Sequence, residues 1–162
     1  AQLLGSGTIL REVEAAAELL EADWNVSATV WSATSINELA RDGMAVERDN
    51  RLHPSQDKKR SYIEECLDDE PGVVIASTDY MRLYAEQIRP WVKAPYTVLG
   101  TDGFGRSDTR QQLRSFFEVD RYHVVVATLN TLAEQGDIKT DIVEKAIKQY
   151  NIDADAIAPV KG

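Results

Sequence analysis

Apolar and polar residues recur along this chain with two different periods, and the places where the period changes mark its elements. Residues 2–5, QLLG, form a short apolar run closed by Gly5-Ser6-Gly7, the pattern of a buried strand followed by a turn. From Thr8 to about Glu21 the spacing becomes helical, with Val13, Ala16, Ala17 and Leu20 on one stripe and Arg11, Glu12, Glu14 and Glu18 among the other positions. VSATVWSA at 26–33 is rich in β-branched residues and reads as a second strand. Ser35-Ile36-Asn37-Glu38 has the form of a capping box, serine bonding forward and glutamate back, so a helix begins there. Asp42-Gly43 is expected to break that helix, with a second piece running to about Leu52. After the loop His53–Asp57, SYIEECLDDE reads as a short acidic helix with Ile63 and Leu67 one turn apart.

The second half repeats the alternation. Val73–Ala76 is a continuous apolar run of the kind buried on both faces. Thr78 or Asp79 is expected to cap a helix carrying Met81, Tyr84, Ala85 and Ile88, which Pro90 ends. Tyr96–Leu99 is another strand, followed by the glycine-rich loop GTDGFGRSDTR at 100–110. Asp108 is expected to cap a helix with Leu113, Phe116 and Phe117. Residues 121–134 read as helix from Val125, Leu129, Leu132 and Ala133, stopped by Gly136, although Val124-Val125-Val126 is β-prone. A last helix holds Ile142, Val143, Ala146, Ile147 and Tyr150. Strands alternating with helices predict an α/β fold, a three-layer α/β/α sandwich around a mainly parallel sheet. Right-handed crossovers suggest the strand order 2-1-3-4, with a switch point between the first and third strands.

Composition narrows what such a fold can do. The 162 residues suit one domain, 1–162, and no apolar run reaches the eighteen residues of a membrane span. The chain starts without Met, directly in a strand, and carries no basic signal-peptide segment; a domain cut from a longer chain, located in the cytoplasm, is the expectation. A net charge of −9 argues against nucleic acid as a partner, because phosphates demand cations. The cluster Lys58-Lys59-Arg60 stands beside the acidic run Glu64–Glu70 and reads as a solvated surface. Cys66, the single cysteine, excludes an internal disulfide and is expected to be buried as a small hydrophobe. Asn25-Val26-Ser27 matches a glycosylation acceptor by chance.

Three loops of the predicted sheet share its carboxyl edge, where open α/β sheets place ligands: Gly5-Ser6-Gly7, Ser77–Tyr80 and 100–110. The first begins like a dinucleotide fingerprint and then fails, because Leu10 stands where the third glycine belongs and no acidic residue ends the second strand. Asp102-Gly103 and Asn130 imitate the spacing with which thiamine-diphosphate enzymes hold magnesium, but Thr101 replaces the first glycine and Asn130 falls inside a predicted helix. His53 and His123 lack a serine, cysteine or carboxylate pattern that would make a nucleophile or a metal site. No catalytic, cofactor or metal residue is therefore assigned. Tyr80, Tyr84, Trp91 and Tyr96 suit a core or a domain interface better than a stacking platform. Asp102, Arg106 and Ser107 remain as a candidate anion or interface loop; Arg106, Arg110 and Arg114 would share a face if the helix extended back, either around an anion or paired to acidic neighbours.

LLGSGTILREV at 3–13, STDYMRLYAEQIRP at 77–90, YTVLGTDGFGRSDTR at 96–110, FFEVDRYHVVVATL at 116–129 and the tail YNIDADAIAP together resemble one family. It is the C-terminal domain of the homodimeric pyruvate dehydrogenase decarboxylase component, which is transketolase-like. The resemblance implies a parent enzyme that uses thiamine diphosphate and magnesium, decarboxylates pyruvate and reductively acetylates the lipoyl group of the acetyltransferase component. It implies that the cofactor and the catalytic histidine and glutamate residues belong to preceding domains, and that this domain supports the homodimer. It also implies an antiparallel edge strand before QLLG, without which VSATVWSA is an unprotected edge. The alternatives are a stand-alone module that binds an anion or a partner, or the C-terminal domain of another transketolase-like enzyme.

Overall fold

The computed structural model describes residues 1–161. Four parallel strands, β1 (Gln2–Gly5), β2 (Thr29–Ser32), β3 (Val74–Ser77) and β4 (Tyr96–Leu99), form one sheet in the order β2-β1-β3-β4, as the alternation of elements predicts. In this register Leu3 lies between Val30 and Ile75, and Leu4 between Trp31 and Ala76. The helices are α1 (Leu10–Trp24), α2 (Ile36–Leu52), α3 (Tyr62–Leu67), α4 (Arg82–Glu86), α5 (Arg110–Phe116), α6 (Arg121–Gln135) and α7 (Thr140–Gln149).

Successive strand side chains point to opposite faces, and this alternation divides the core in two. Leu3 and Ile75 join Val13, Ala16 and Leu20 of α1, Val125 and Leu129 of α6, and Val143 and Ala146 of α7. Leu4, Val74, Ala76 and Val98 face the other way, onto Ile36 and Ala40 of α2, Ile63 and Leu67 of α3, and Ala85 of α4. Right-handed crossovers dictate the split: β1 to β2 steps outward one way, whereas β2 to β3 and β3 to β4 step back, so their helices lie on the opposite face.

Local chemistry explains where elements depart from the pattern. Asn25 adopts the left-handed conformation (φ 54°) that closes α1, and β2 pairs only from Thr29. Asp42-Gly43 does not break α2, which runs unbroken to Leu52. Gly43 is instead the point where the Trp91 indole packs on the helix, and a Cβ there would stand 2.6 Å from Trp91 Cε3. Only half of the expected box at Ser35 forms: its Oγ accepts from the Glu38 amide at 3.3 Å, while the Glu38 carboxylate takes Arg41 at 2.6 Å. A carboxylate reaches back at α3 instead, where the Ser61 amide and hydroxyl both donate to Glu64 Oε2 at 2.8 Å. Cys66 is half-buried rather than buried, because its helix turns only Ile63 and Leu67 fully inward. The β-prone triplet stays helical in α6 because Val124 and Val125 are fully buried, Asp120 caps the helix through the His123 amide, and Gly136 ends it at φ 84°. Two members of the basic cluster pair with acid: Lys59 with Asp49, and Arg60 with Asp68 and Asp69.

Candidate functional site

Because all four strands run the same way, the loops after β1, β3 and β4 meet at one edge and are bonded to one another. Asp79 is their centre. Gly7, in the left-handed region at φ 58°, brings its backbone under the Asp79 carboxylate, and the Thr8 hydroxyl donates to Asp79 Oδ2 at 3.2 Å. The Thr101 hydroxyl donates to the Asp79 carbonyl at 2.7 Å, and the Thr101 amide to the Tyr80 carbonyl at 2.9 Å. Gly100 permits this approach, since a Cβ there would lie 2.7 Å from the Arg82 nitrogen.

Asp102 is already occupied. Its Oδ1 accepts the Arg82 amide at 3.0 Å, so it supplies from the next loop the start of α4 that Thr78 or Asp79 was expected to provide. Thr78 accepts the Tyr80 amide instead. Helix α5 starts one residue later than expected: Thr109 accepts the Gln112 amide at 3.3 Å, and Asp108 accepts the amide of Thr109. The three arginines therefore do not share a helical face. Arg106 lies outside α5, its guanidinium 4.1 Å over the Phe116 ring. Arg110 opens the helix, and Arg114 turns away to Glu12. Ser107 is exposed.

Glu12 is the acidic neighbour that sequence reasoning placed among the outward positions of α1. It is 6% exposed and accepts from Arg114 Nη1 at 2.7 Å, Arg121 Nε at 2.9 Å and the Arg121 amide at 3.2 Å. Burial by itself would raise its carboxyl, but the hydrogen bonds from Arg121 and the charges of both arginines hold it below the usual range. The signal was its position one turn before the buried Ala16, a spacing that outweighs its charge once two cations arrive from α5 and α6.

Between these loops and α5 lies a cleft of about 430 Å³ whose polar lining is Thr8, Asp79, Thr101, Arg106, Arg110 and Arg114. Among the described residues neither Arg106 nor Arg110 has an ion-pair partner. The cleft is thus suited to carboxylates or phosphates rather than cations. The tail crosses its margin: Gly103, at φ 104°, packs directly under Pro159 and Val160. A second groove of about 540 Å³ lies on the flank between β2, α2 and α3, beside Trp31, Leu39, Tyr62 and Cys66. Its carboxylates are committed, Glu38 to Arg41 and Asp42 to the Tyr62 amide.

The residues that imitate a thiamine-diphosphate metal motif do not fit that group. Asp102 bonds the start of α4, and Asn130 donates to Glu134 along α6. His53 contacts Asp49, and His123 contacts Asp120 at 2.8 Å. Among the described residues no three His, Cys, Asp or Glu side chains gather as metal ligands. No helix among them is long and apolar enough to cross a membrane.

Comparison with known proteins agrees with this architecture. The pyruvate dehydrogenase E1 component of Pseudomonas aeruginosa is 63% identical over 160 residues, and those of Cupriavidus necator and Escherichia coli K12 are 57% and 55% identical over 159. Each alignment covers 98% of this chain and 18% of the relative, so the chain spans about a fifth of the length of the curated relatives it matches. A solved split-gene transketolase, an inactive β4 tetramer, superposes with a TM-score of 0.54 at 18% identity, over 82% of this chain and 39% of that one. Residues 1–120, which hold the whole sheet and its carboxyl edge, match the sequence profile of the transketolase-like TK C-terminal domain, and the chain belongs to that family.

Proposed function

We propose that this chain serves as the C-terminal domain of a pyruvate dehydrogenase E1 component and contributes assembly rather than chemistry. The observation that carries the reading is identity of 63% sustained across 98% of the chain, against only 18% of the relative. In this reading the parent enzyme oxidatively decarboxylates pyruvate with thiamine diphosphate and magnesium and acetylates the lipoyl group of the acetyltransferase. Those groups are held by the preceding domains, and the domain supports a cytoplasmic homodimer. The carboxyl edge is consistent with a structural role, because Asp79, Thr101 and Asp102 spend their polar groups on one another's loops.

The test restores the full-length polypeptide, loads it with thiamine diphosphate and magnesium, and follows pyruvate-dependent reduction of an artificial acceptor. Turnover is expected from the full-length protein and none from the 162-residue chain. A folded, loaded full-length protein without turnover overturns the parent assignment, and turnover by the short chain overturns the structural role.

One observation favours a second reading, in which the loop Asp102–Ser107 binds an anion. Arg106 and Arg110 line the cleft without a carboxylate partner among the described residues. Titration calorimetry of the chain with pyruvate, inorganic phosphate, and thiamine diphosphate plus magnesium tests it; micromolar binding that Arg110→Gln abolishes is the supporting result, and no heat is the refuting one.

A further inference from the structure

A third cavity, a groove of about 600 Å³, lies on the flank where α5 and the first turn of α6 cross the start of α1, and Tyr122 and Tyr150 help to line it. Its carboxylates are already engaged. Glu12 holds Arg114 and Arg121, and Asp120 accepts the His123 amide at 3.0 Å and lies 2.8 Å from a ring nitrogen of the same residue. Its donors are in surplus. Among the described residues the side chains of Arg110, Gln111, Gln112 and Tyr122 have no hydrogen-bond partner, and Arg121 meets Glu12 through Nε and Nη2, which leaves Nη1 open. A groove with neutralised acids and open donors attracts an anion. Tyr122 adds a requirement of shape. It is 40% exposed, and its ring lies 4.9 Å from that of Tyr150 at an interplanar angle of 32°. Tyr150 is fixed in turn, because its hydroxyl accepts from Trp24 Nε1 at 2.8 Å and donates to Asp23 Oδ2 at 2.9 Å. The aromatic platform therefore stands in place before anything binds, which lowers the ordering cost of binding.

We propose that this groove binds a single nucleotide, with the base stacked on Tyr122 and the phosphate held by Arg110 and the open Nη1 of Arg121. Each kind of group in the groove matches one part of that ligand. Aromatic rings stack on bases, and the arginine fork matches phosphate oxygens. The side-chain amides of Gln111 and Gln112 present the paired donor and acceptor that a base edge needs. A small carboxylate would use the arginines alone and leave the ring and the amides idle. A nucleic-acid polymer is a poor occupant, because its further phosphates would meet a chain of net charge −9. The groove is also distinct from the loop cleft: Arg110 borders both, whereas Arg106 lines only the cleft and Tyr122 only the groove. The inference stands on these residues and is independent of the E1 reading.

The experiment titrates the 162-residue chain with AMP and GMP by calorimetry, uses adenosine, ribose phosphate and inorganic phosphate as partial ligands, and locates binding from shifts of the amide NMR resonances. At least one nucleotide is expected to bind with a Kd below about 1 mM, and about tenfold or more tighter than either partial phosphate. The shifts should concentrate in residues 110–115 and 121–122. Tyr122→Leu should weaken the nucleotide about tenfold, whereas Tyr122→Phe, which keeps the ring, should stay within about threefold of the parent. Arg110→Gln should weaken the nucleotide about tenfold and leave the weaker binding of adenosine unchanged. Arg106→Gln should change neither. No saturable heat from either nucleotide at about 5 mM overturns the proposal. Inorganic phosphate bound as tightly as the nucleotides, or unchanged affinity in a folded Tyr122→Leu, overturns the role of the base. A loss with Arg106→Gln as large as that with Arg110→Gln, or shifts confined to residues 101–106, overturns the choice of groove in favour of the loop cleft. Each of these failures leaves pyruvate turnover by the full-length protein, and with it the E1 reading, untouched.

Discussion

Replacing Glu12 with glutamine is the sharpest test of how the two halves of the domain are joined. The carboxylate sits on α1, and its two arginines come from α5 and from the start of α6, more than a hundred residues later in the chain. Glutamine keeps the shape and one acceptor but removes the charge. Removing one partner of a buried pair costs about 3–5 kcal/mol, because the survivor is left charged and unpaired. Here the Arg121 side chain is 41% exposed and stays solvated, whereas Arg114 is 16% exposed and is stranded. The expected loss is accordingly smaller, about 2–3 kcal/mol. For a domain of this size that lowers the melting temperature by roughly 5–10 °C.

The assay is thermal and urea unfolding followed by circular dichroism at pH 7, repeated for Arg114→Gln and for the double variant; a coupling of about 1–2 kcal/mol is expected. The effect must also depend on pH in one direction. The folded carboxyl titrates below its usual value of 4.5, so its contribution is complete above that pH. As pH falls, the unfolded chain takes up the proton first, and the contribution disappears by the time pH has passed through the folded pKa. The deficit of Glu12→Gln therefore narrows below about pH 4.5. A melting temperature within about 1 °C of the parent at pH 7, or a deficit that widens in acid, refutes the reasoning.

Gly43→Ala tests the close contact with Trp91: helix propensity favours alanine by about 1 kcal/mol, so destabilisation of about 1–3 kcal/mol in urea is expected only if the indole truly occupies that space. Asp102→Ala removes the acceptor for the Arg82 amide and should cost about 0.5–1 kcal/mol, with faster proteolytic nicking near residues 80–82 as its local signature. Ser77 is 1% exposed and its hydroxyl has no partner among the described residues, so Ser77→Ala should leave the melting temperature unchanged or raised; a drop of several degrees would reveal a bond not accounted for. Gly103→Ala places a methyl against the Pro159 carbonyl at a φ of 104°, and should release the tail to carboxypeptidase without unfolding the sheet; a tail that stays protected argues against the contact.

The strands, their order and the layering were legible because they follow from periodicity and chain handedness, both local or universal. Val74–Ser77 and Tyr96–Leu99 are short apolar runs that admit few other homes. What the sequence concealed was the partner in each long-range bond. Asp102 reads as a loop acid in any linear scan, and only the juxtaposition of two parallel βα loops turns it into the start of α4. Glu12 reads as a surface charge until Arg114 and Arg121 arrive beside it. Gly43 carries the usual signature of a helix break, and its real constraint is an indole from a segment nearly fifty residues away. Family resemblance identified the motif 100–110 correctly, yet it assigned no role to Arg106, whose contact with Phe116 depends on how α5 folds back.

The central strand has a consequence for the order in which the domain can be made. β1 occupies residues 2–5, among the first of this chain to leave a ribosome, but it is buried on both faces and paired on both sides. Its second neighbour, β3, is completed only at Ser77, and α6, which covers Leu3 together with α1, begins at Arg121. Beyond α1 and β2, the elements that shelter the strand close long loops, and high contact order slows folding. Leu3 gains the cover of α1 early, whereas that of α6 waits until residues 121–135 are made. Completion of this half of the core is therefore a late event, and a nascent chain that ends before residue 121 still exposes the apolar face of α1 and β1 that α6 covers.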